Sequence, residues 1–157
     1  MIILKNLKLI SIVLIIIAAL ALCGFFGFNS SGPTNDLGIQ LSDNSSIHED
    51  GQYDSVEDVS AYLVKYHKLP SNYMTKSDAH VIGWHGGSLE KYAPGMCIGG
   101  DKFTNRQEIL PTDKAYKECD IDTLGADSRG AKRIVYSTNY EDIYYTENHY
   151  ESFNKIA

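Results

Sequence analysis

Helix-like patterns come first in this chain and strand-like patterns follow them, and this order restricts the fold more than any other feature of the sequence. The motif Ser55-x-x-Asp58 is typical of a helix N-terminus, because the serine hydroxyl can accept a hydrogen bond from a free backbone N–H. Apolar residues then recur at helical spacing until about His67. Thr75-x-x-Asp78 predicts the start of a second helix in the same way.

Strand-like segments begin after Pro94-Gly95, and a short helical turn is expected just before them, at 88–92. The segments are short, and turn-forming Gly, Asn, Asp and Pro residues separate them. Helices followed by strands indicate an α+β fold, in which N-terminal helices pack on a C-terminal antiparallel β-sheet. The predicted strands span residues 96–103, 115–121, 133–137, 143–146 and 152–156.

The N-terminal residues 1–28 have the pattern of a targeting segment. Lys5 and Lys8 precede an apolar run over residues 9–28, which is long enough to cross a bilayer. Ala19-Leu20-Ala21 matches the small-x-small pattern of a signal peptidase site. Residues 1–28 are therefore predicted to be either a cleaved signal peptide or an uncleaved membrane anchor. In both cases the rest of the chain lies outside the cytosol.

Residues 29–52 are mostly polar and lack the apolar periodicity of a core-forming segment, so they are predicted to be a linker or pro-segment. Residues 53–157 then form the folded domain. The chain has 14 Lys and Arg against 20 Asp and Glu, a formal net charge of −6. Phosphate binding requires positive charge, so a protein of this composition that acts on nucleic acid must concentrate its cations locally.

Cysteine and histidine spacing gives no zinc pattern and no convincing pair of metal ligands, so no metal and no cofactor is predicted. Cys97 and Cys119 lie on two predicted strands that should pair antiparallel. If Phe103 faces Lys114, the two cysteines come nearly opposite each other, within the range of a disulfide. A disulfide and two buried free thiols both remain open from the sequence.

Four motifs follow one another along the domain: YHKLPSNYMTKSDAHVIGW at 66–84, APGMCIGGDKFTNR at 93–106, SRGAKRIVY at 128–136 and NHYESFNKIA at 148–157. Together they resemble the barnase family, the bacterial members of the guanyl-specific ribonuclease superfamily. The resemblance covers residues 55–157. It implies the microbial ribonuclease fold and a secreted, metal-independent endoribonuclease. Such an enzyme cleaves single-stranded RNA, preferably 3′ of guanine, through a 2′,3′-cyclic phosphate.

This cleavage requires a base for the 2′-hydroxyl, an acid for the leaving 5′-oxygen and cations for the charge on phosphorus. The resemblance implies that Glu118 is the base and His149 the acid. Strand alternation in AYKECDID puts Glu118 and Asp120 on one face and Cys119 and Ile121 on the other. Taken without the resemblance, Glu118 would be interpreted as a solvated charge on an open sheet face.

The remaining implied site residues bind phosphate or base. Lys76, Arg129, Arg133 and Tyr150 match phosphate-binding positions, and arginine suits phosphate because its planar fork donates paired hydrogen bonds. The alternative is that these bases only balance Asp120, Asp127 and their neighbours, and both roles are expected together, because a buried cationic cluster requires carboxylate partners. The guanine-recognition loop matches Phe103, Asn105, Arg106 and Gln107.

Gln107 stands where relatives have a glutamate. An amide has one acceptor oxygen, whereas a carboxylate can accept both N–H groups of guanine, so a weaker guanine preference is expected. Glu108, one residue on, is an alternative carboxylate for the base.

The resemblance also implies RNA as the substrate, a monomeric enzyme and a barstar-like protein inhibitor as partner. Two other functions remain open: an antibacterial ribonuclease toxin delivered to a rival cell, and a non-catalytic RNA- or protein-binding module of the same fold. The expected location is extracellular. The alternative is an enzyme anchored in the membrane and facing outside, if the N-terminal segment is not cleaved.

Overall fold

The computed structural model describes residues 46–157. The predicted signal peptide or anchor at 1–28, and most of the predicted linker, lie outside the described residues. Within the described part of the chain, no helix is both long and apolar enough to span a membrane.

Both predicted helices are confirmed. Helix α1 spans Val56–Tyr66, where the Ser55 hydroxyl accepts the backbone N–H of Asp58, and it ends at His67 in the left-handed conformation with φ of 51°. Helix α2 spans Lys76–Val81 and is capped by Thr75 in the same way. The helical turn expected at 88–92 is a single hydrogen-bonded turn and no longer helix forms there.

Six strands form one sheet in the order of the sequence. Strand β1 pairs parallel with β2, and all other neighbours pair antiparallel. The sheet is therefore mixed, which corrects the expected antiparallel sheet. The sequence did not predict β1. The chain passes from β1 through α2 to β2, and this crossover makes the two strands parallel. The strands are β1 (Tyr73–Met74), β2 (Cys97–Phe103), β3 (Tyr116–Asp120), β4 (Arg133–Ser137), β5 (Ile143–Thr146) and β6 (Asn154–Lys155).

The two faces of the sheet carry different side chains. Val59 and Leu63 of α1 share a buried apolar cluster with Cys119, Ile121 and sheet residues of the same face. The alternation predicted along β3 is thus confirmed, because Cys119 and Ile121 lie on the core face. Glu118 and Asp120 therefore lie on the opposite face, where they are available to form a site.

The sequence left a disulfide and two buried free thiols open, and the structure has the two free thiols. Cys97 and Cys119 are both buried and both free. Cys119 pairs with Gly99, because Phe103 faces Tyr116 and not Lys114. The bulge at Gly100, with φ of 91°, offsets only one residue of this two-residue difference in register. Burial raises the pKa of the Cys97 thiol to about 11, so this thiol is protonated at neutral pH.

Part of the predicted linker is folded against the domain. Ile47 is 2% exposed and packs on α1, and its carbonyl accepts a hydrogen bond from the Lys65 ammonium at 2.7 Å. The Tyr62 hydroxyl donates to the carbonyl of Glu49 at 2.7 Å. Residues 46–52 therefore cover one side of α1, ahead of the domain boundary expected from the sequence.

Candidate active site

All ten site residues named from the sequence line one cavity of about 370 Å³, which is called the candidate cavity below. They come from distant parts of the chain: α2, the loop after β2, strands β3 and β4, the loop before β4 and the turn after β5. The fold thus brings together residues that the sequence separates by up to 74 positions. The ten are Lys76, Phe103, Asn105, Arg106, Gln107, Glu118, Arg129, Arg133, His149 and Tyr150.

Glu118 lies in the floor of the candidate cavity and is 8% exposed. One carboxylate oxygen is 2.6 Å from the ammonium of Lys76, and the other accepts a hydrogen bond from the Tyr150 hydroxyl at 2.6 Å. The backbone N–H of Lys76 donates to Asp101 at 2.9 Å, which fixes the start of α2 on the sheet. The Glu118 carboxylate is therefore held on both sides in one orientation.

Asp120 lies beneath two arginines of the candidate cavity and is 2% exposed. Arg129 donates two hydrogen bonds to this carboxylate, at 2.6 and 2.7 Å, and the Arg133 Nε lies 2.8 Å from it. The Arg133 guanidinium also donates to three backbone carbonyls. Burial opposes the charge on Arg129, but the hydrogen bonds and charge of Asp120 outweigh this and raise its pKa.

Replacing Asp120 with Ala should destabilise the domain by about 3–5 kcal/mol, because two largely buried guanidinium groups lose their shared carboxylate. The matched control is Asp122→Asn, which removes an exposed carboxylate that pairs with Lys132 and keeps a side chain suited to the left-handed backbone of this position. That change should cost less than about 1 kcal/mol. Urea unfolding of both variants measures the difference, and equal stabilities would show that the Asp120 cluster is not held by this carboxylate.

His149 lies in the tight turn that follows β5. His149 and Tyr150 both have left-handed backbones, with φ of 57° and 74°, which is unusual for two successive residues with side chains. The buried hydroxyl of Thr146 accepts the N–H of Tyr150 at 3.0 Å, and Asn148 accepts the N–H of Ser152 at 3.0 Å. This small network holds the turn in a strained conformation that presents the exposed imidazole at the edge of the candidate cavity.

Aromatic rings form one wall of the candidate cavity. The Phe103 ring centroid is 5.2 Å from that of Tyr150 and 5.9 Å from that of Phe153. Burial and the hydrogen bond to Glu118 raise the pKa of the Tyr150 hydroxyl above its usual range, so Tyr150 remains a hydrogen-bond donor. A planar nucleotide base can pack against such a wall.

The loop after β2 is braced from inside by Asn105. The Asn105 side chain donates to the carbonyl of Leu110 at 2.8 Å and accepts the N–H of the same residue at 3.1 Å. Asn105 and Glu108 both adopt left-handed backbones, with φ of 44° and 54°. The Asn105 side chain therefore shapes the loop, while Arg106 and Gln107 extend from it as exposed side chains.

Five cationic side chains and one carboxylate line the candidate cavity. The chain thus concentrates positive charge at one place in spite of its acidic composition, as the sequence required of a protein that acts on nucleic acid. Four lining residues were not predicted from the sequence, and Phe153 among them could have been found from its place in the C-terminal motif. The other three are Lys102, Thr104 and Ile109, which are exposed and carry no distinctive sequence signal.

Comparison with known proteins gives relatives that are named ribonucleases. A ribonuclease of Bacillus intermedius is 40% identical over 122 residues, which cover 75% of this chain and 73% of that protein. A ribonuclease of Heyndrickxia coagulans is 43% identical over 102 residues, which cover 62% of this chain and 92% of that protein. Guanyl-specific ribonuclease Sa of Kitasatospora aureofaciens is 39% identical over 59 residues, which cover 36% of this chain and 62% of that protein.

A family profile described as ribonuclease matches residues 56–157. This region contains every helix and strand described above and every residue named from the sequence as part of the site. The resemblance carried by the four motifs is therefore confirmed. The chain belongs to the ribonuclease family, which is the enzyme class expected from its motifs.

Proposed function

We propose that this protein is a secreted endoribonuclease that cleaves single-stranded RNA without a metal ion. The 2′-oxygen attacks the adjacent phosphorus, the bond to the 5′-oxygen breaks, and the products are a 2′,3′-cyclic phosphate and a 5′-hydroxyl. Slower hydrolysis then opens the cyclic phosphate to a 3′-phosphate. The observation that carries the proposal is the candidate cavity, which gathers a fixed carboxylate, an exposed imidazole and clustered cations.

Glu118 is proposed as the base that accepts the proton of the 2′-hydroxyl. Lys76 and Tyr150 keep its carboxylate in one orientation, so little reorganisation is required when the substrate binds. The Lys76 ammonium also lies beside the carboxylate, where it can attract the phosphate that carries the 2′-oxygen. Lys76 is thus proposed to orient the base and to stabilise negative charge in the same step.

His149 is proposed as the acid that protonates the 5′-oxygen as its bond to phosphorus breaks. In the hydrolysis step the roles reverse: His149 accepts a proton from water, and Glu118 returns a proton to the 2′-oxygen. The exposed position of the imidazole supports this role, because the proton can be restored from solvent after each cycle.

Arg129 and Arg133 are proposed to stabilise the negative charge that develops on the phosphoryl oxygens. Arg129 binds Asp120 through two of its donors, and its remaining N–H groups are free to bind phosphate oxygens. The two terminal amino groups of Arg133 donate to three backbone carbonyls, and its Nε forms an ion pair with Asp120, so Arg133 contributes chiefly through its charge. Such prearranged charge is the usual source of transition-state stabilisation in an enzyme.

We propose that the exposed loop after β2 binds a guanine base and that the RNA is cleaved on the 3′ side of this guanine. The base would pack beside Phe103, while backbone amides of the braced loop and the Arg106 and Gln107 side chains contact its edge. Support comes from the similarity to a relative named guanyl-specific ribonuclease Sa. The Asn105 side chain contributes by holding the loop, since its own amide is bound within the loop.

Gln107→Glu should sharpen the discrimination of guanine over adenine. A carboxylate accepts both guanine N–H groups, and a mismatched hydrogen bond costs roughly 1–3 kcal/mol, so the ratio of kcat/KM values should rise by about tenfold or more. Matched dinucleotides with guanine or adenine at the cleaved position measure this ratio. Glu108→Gln is the control. If the ratio changes in Glu108→Gln and stays the same in Gln107→Glu, the base contact belongs to Glu108.

Incubation of the purified domain with a defined RNA in EDTA tests the proposed reaction. Cleavage should persist in the chelator, because the charge stabilisers are Lys76, Arg129 and Arg133. End-group analysis should find 2′,3′-cyclic phosphates first and 3′-phosphates later. Activity that is lost in EDTA and restored by Mg²⁺ or Zn²⁺ would contradict the mechanism, as would products with 5′-phosphates.

The extracellular location rests on the targeting pattern of residues 1–28. The resemblance to the barnase family supports a barstar-like inhibitor, which would protect the producing cell before the enzyme is exported. The five cationic side chains of the candidate cavity suit an inhibitor that inserts acidic side chains there.

A further inference from the structure

Arg129 lies on the loop 121–132 between β3 and β4, and this loop carries left-handed glycines at both ends of its central part. Gly125 has φ of 67° and Gly130 has φ of 55°. Glycines in this conformation allow alternative backbone paths. Something outside the loop must therefore fix the direction in which the Arg129 guanidinium points.

The segment 84–88, which follows α2, contacts this loop at two points. The Arg129 guanidinium carbon lies 5.6 Å from the centroid of the Trp84 ring, in the range of a cation–π contact. The Ser88 hydroxyl donates a hydrogen bond of 2.6 Å to the carbonyl of Ala126. Asp120 holds the donor edge of Arg129, and Trp84 holds its face.

Trp84 is well suited to act as a fixed surface. It is 3% exposed and belongs to an apolar cluster with Ala79, Leu89 and Ile98. Its indole N–H donates to the carbonyl of Gly87, and its backbone N–H donates to Ala79. The ring therefore cannot turn away from Arg129 without disrupting this cluster.

We propose that Trp84 and Ser88 form a platform that positions Arg129 for phosphate binding. Trp84 and Ser88 act through Arg129 and are positioning residues. The proposal rests on the proposed role of Arg129, and it assigns to segment 84–88 a part in the reaction. Ser88 fixes the path of the loop, and Trp84 fixes the plane of the guanidinium.

This platform gives a direct signal, because Trp84 is the only tryptophan in the chain. Inorganic phosphate that binds Arg129 should change the charge distribution against the ring and therefore the tryptophan fluorescence. Titration with sodium phosphate at constant ionic strength should give a saturable change, with the same half-saturation as phosphate inhibition of RNA cleavage. Arg129→Ala should abolish the change. An equal change in Arg129→Ala, or inhibition by phosphate with no change in the wild type, would overturn the platform.

A double-mutant cycle on kcat/KM separates this proposal from the proposed function. Trp84→Leu should lower kcat/KM by about 2- to 30-fold, and Trp84→Phe should restore most of the loss because it keeps an aromatic face. In the Arg129→Ala background, Trp84→Leu should change kcat/KM by less than about twofold. Ser88→Ala should follow the same pattern.

Leu89→Ala is the matched control, since Leu89 belongs to the same buried cluster. Leu89→Ala should change kcat/KM by the same factor in the wild type and in the Arg129→Ala background. The assays are made at a temperature where urea unfolding shows all variants folded. If Trp84→Leu also lowers kcat/KM by the same factor in both backgrounds, the platform is wrong while the proposed function stands. If Arg129→Ala cleaves RNA like the wild type, the proposed role of Arg129 fails, and the platform fails with it.

Discussion

Glu118→Gln should lower kcat/KM for RNA by about 10²- to 10⁴-fold, the usual contribution of a general base. Glutamine has the size of glutamate and keeps an acceptor oxygen for Lys76 or Tyr150, but it cannot accept the proton of a 2′-hydroxyl. The carboxylate is held at 2.6 Å by each of these two partners, so the substitution changes chemistry more than geometry. Steady-state cleavage of a guanosine-containing dinucleotide measures the effect.

The matched control is Glu147→Gln, which removes an exposed carboxylate that does not line the candidate cavity. It should cleave RNA within about threefold of the wild type. Urea unfolding should find both variants folded at the assay temperature. A Glu118→Gln variant that is folded and cleaves as fast as the control would remove Glu118 from the role of base.

The face on which Glu118 lies could be predicted because it depends only on local geometry. Side chains alternate along a strand, and the apolar Cys119 and Ile121 had to face the core, so Glu118 and Asp120 faced away. The helix starts at Ser55 and Thr75 were predicted for the same reason, since a cap is a contact between residues three apart.

The register of β2 against β3 could not be predicted in this way. It depends on the pairing of Phe103 with Tyr116 and on the bulge at Gly100, where the chain adopts a left-handed backbone. Gly99 also allows close approach, because an added Cβ would lie 2.6 Å from the Cβ of Cys119. The expectation that Cys97 and Cys119 come nearly opposite each other failed because it assumed that Phe103 faces Lys114, two residues away from its observed partner Tyr116.

The site residues were named from motifs, and motifs give identity without the contacts between segments. The sequence indicated that the basic residues pair with Asp120 and its neighbours, but it did not indicate that Asn105 would brace its own loop. Likewise, the packing of residues 46–52 on α1 depends on Ile47, the one apolar side chain among these seven residues, and a single residue is too weak a pattern to predict.

His149→Gln should lower kcat/KM for RNA by about 10²- to 10⁴-fold, because the leaving 5′-oxygen would depart without a proton. The effect should depend on the leaving group. With a guanosine 3′-phosphodiester of 4-nitrophenol, whose leaving group requires no protonation, the same variant should lose much less activity. Glu118→Gln should remain impaired on both substrates, since the 2′-hydroxyl must lose its proton in each case.

The matched control for the acid is His48→Gln, which removes an exposed imidazole that does not line the candidate cavity. It should keep activity within about threefold of the wild type on both substrates. The pH–rate profile of His149→Gln on RNA should also lose the limb that reports the acid, while the limb of the base remains. An equal loss on the RNA and nitrophenyl substrates would show that His149 orients the phosphate or holds the turn, and Tyr150 would then be the neighbouring donor to examine as the acid.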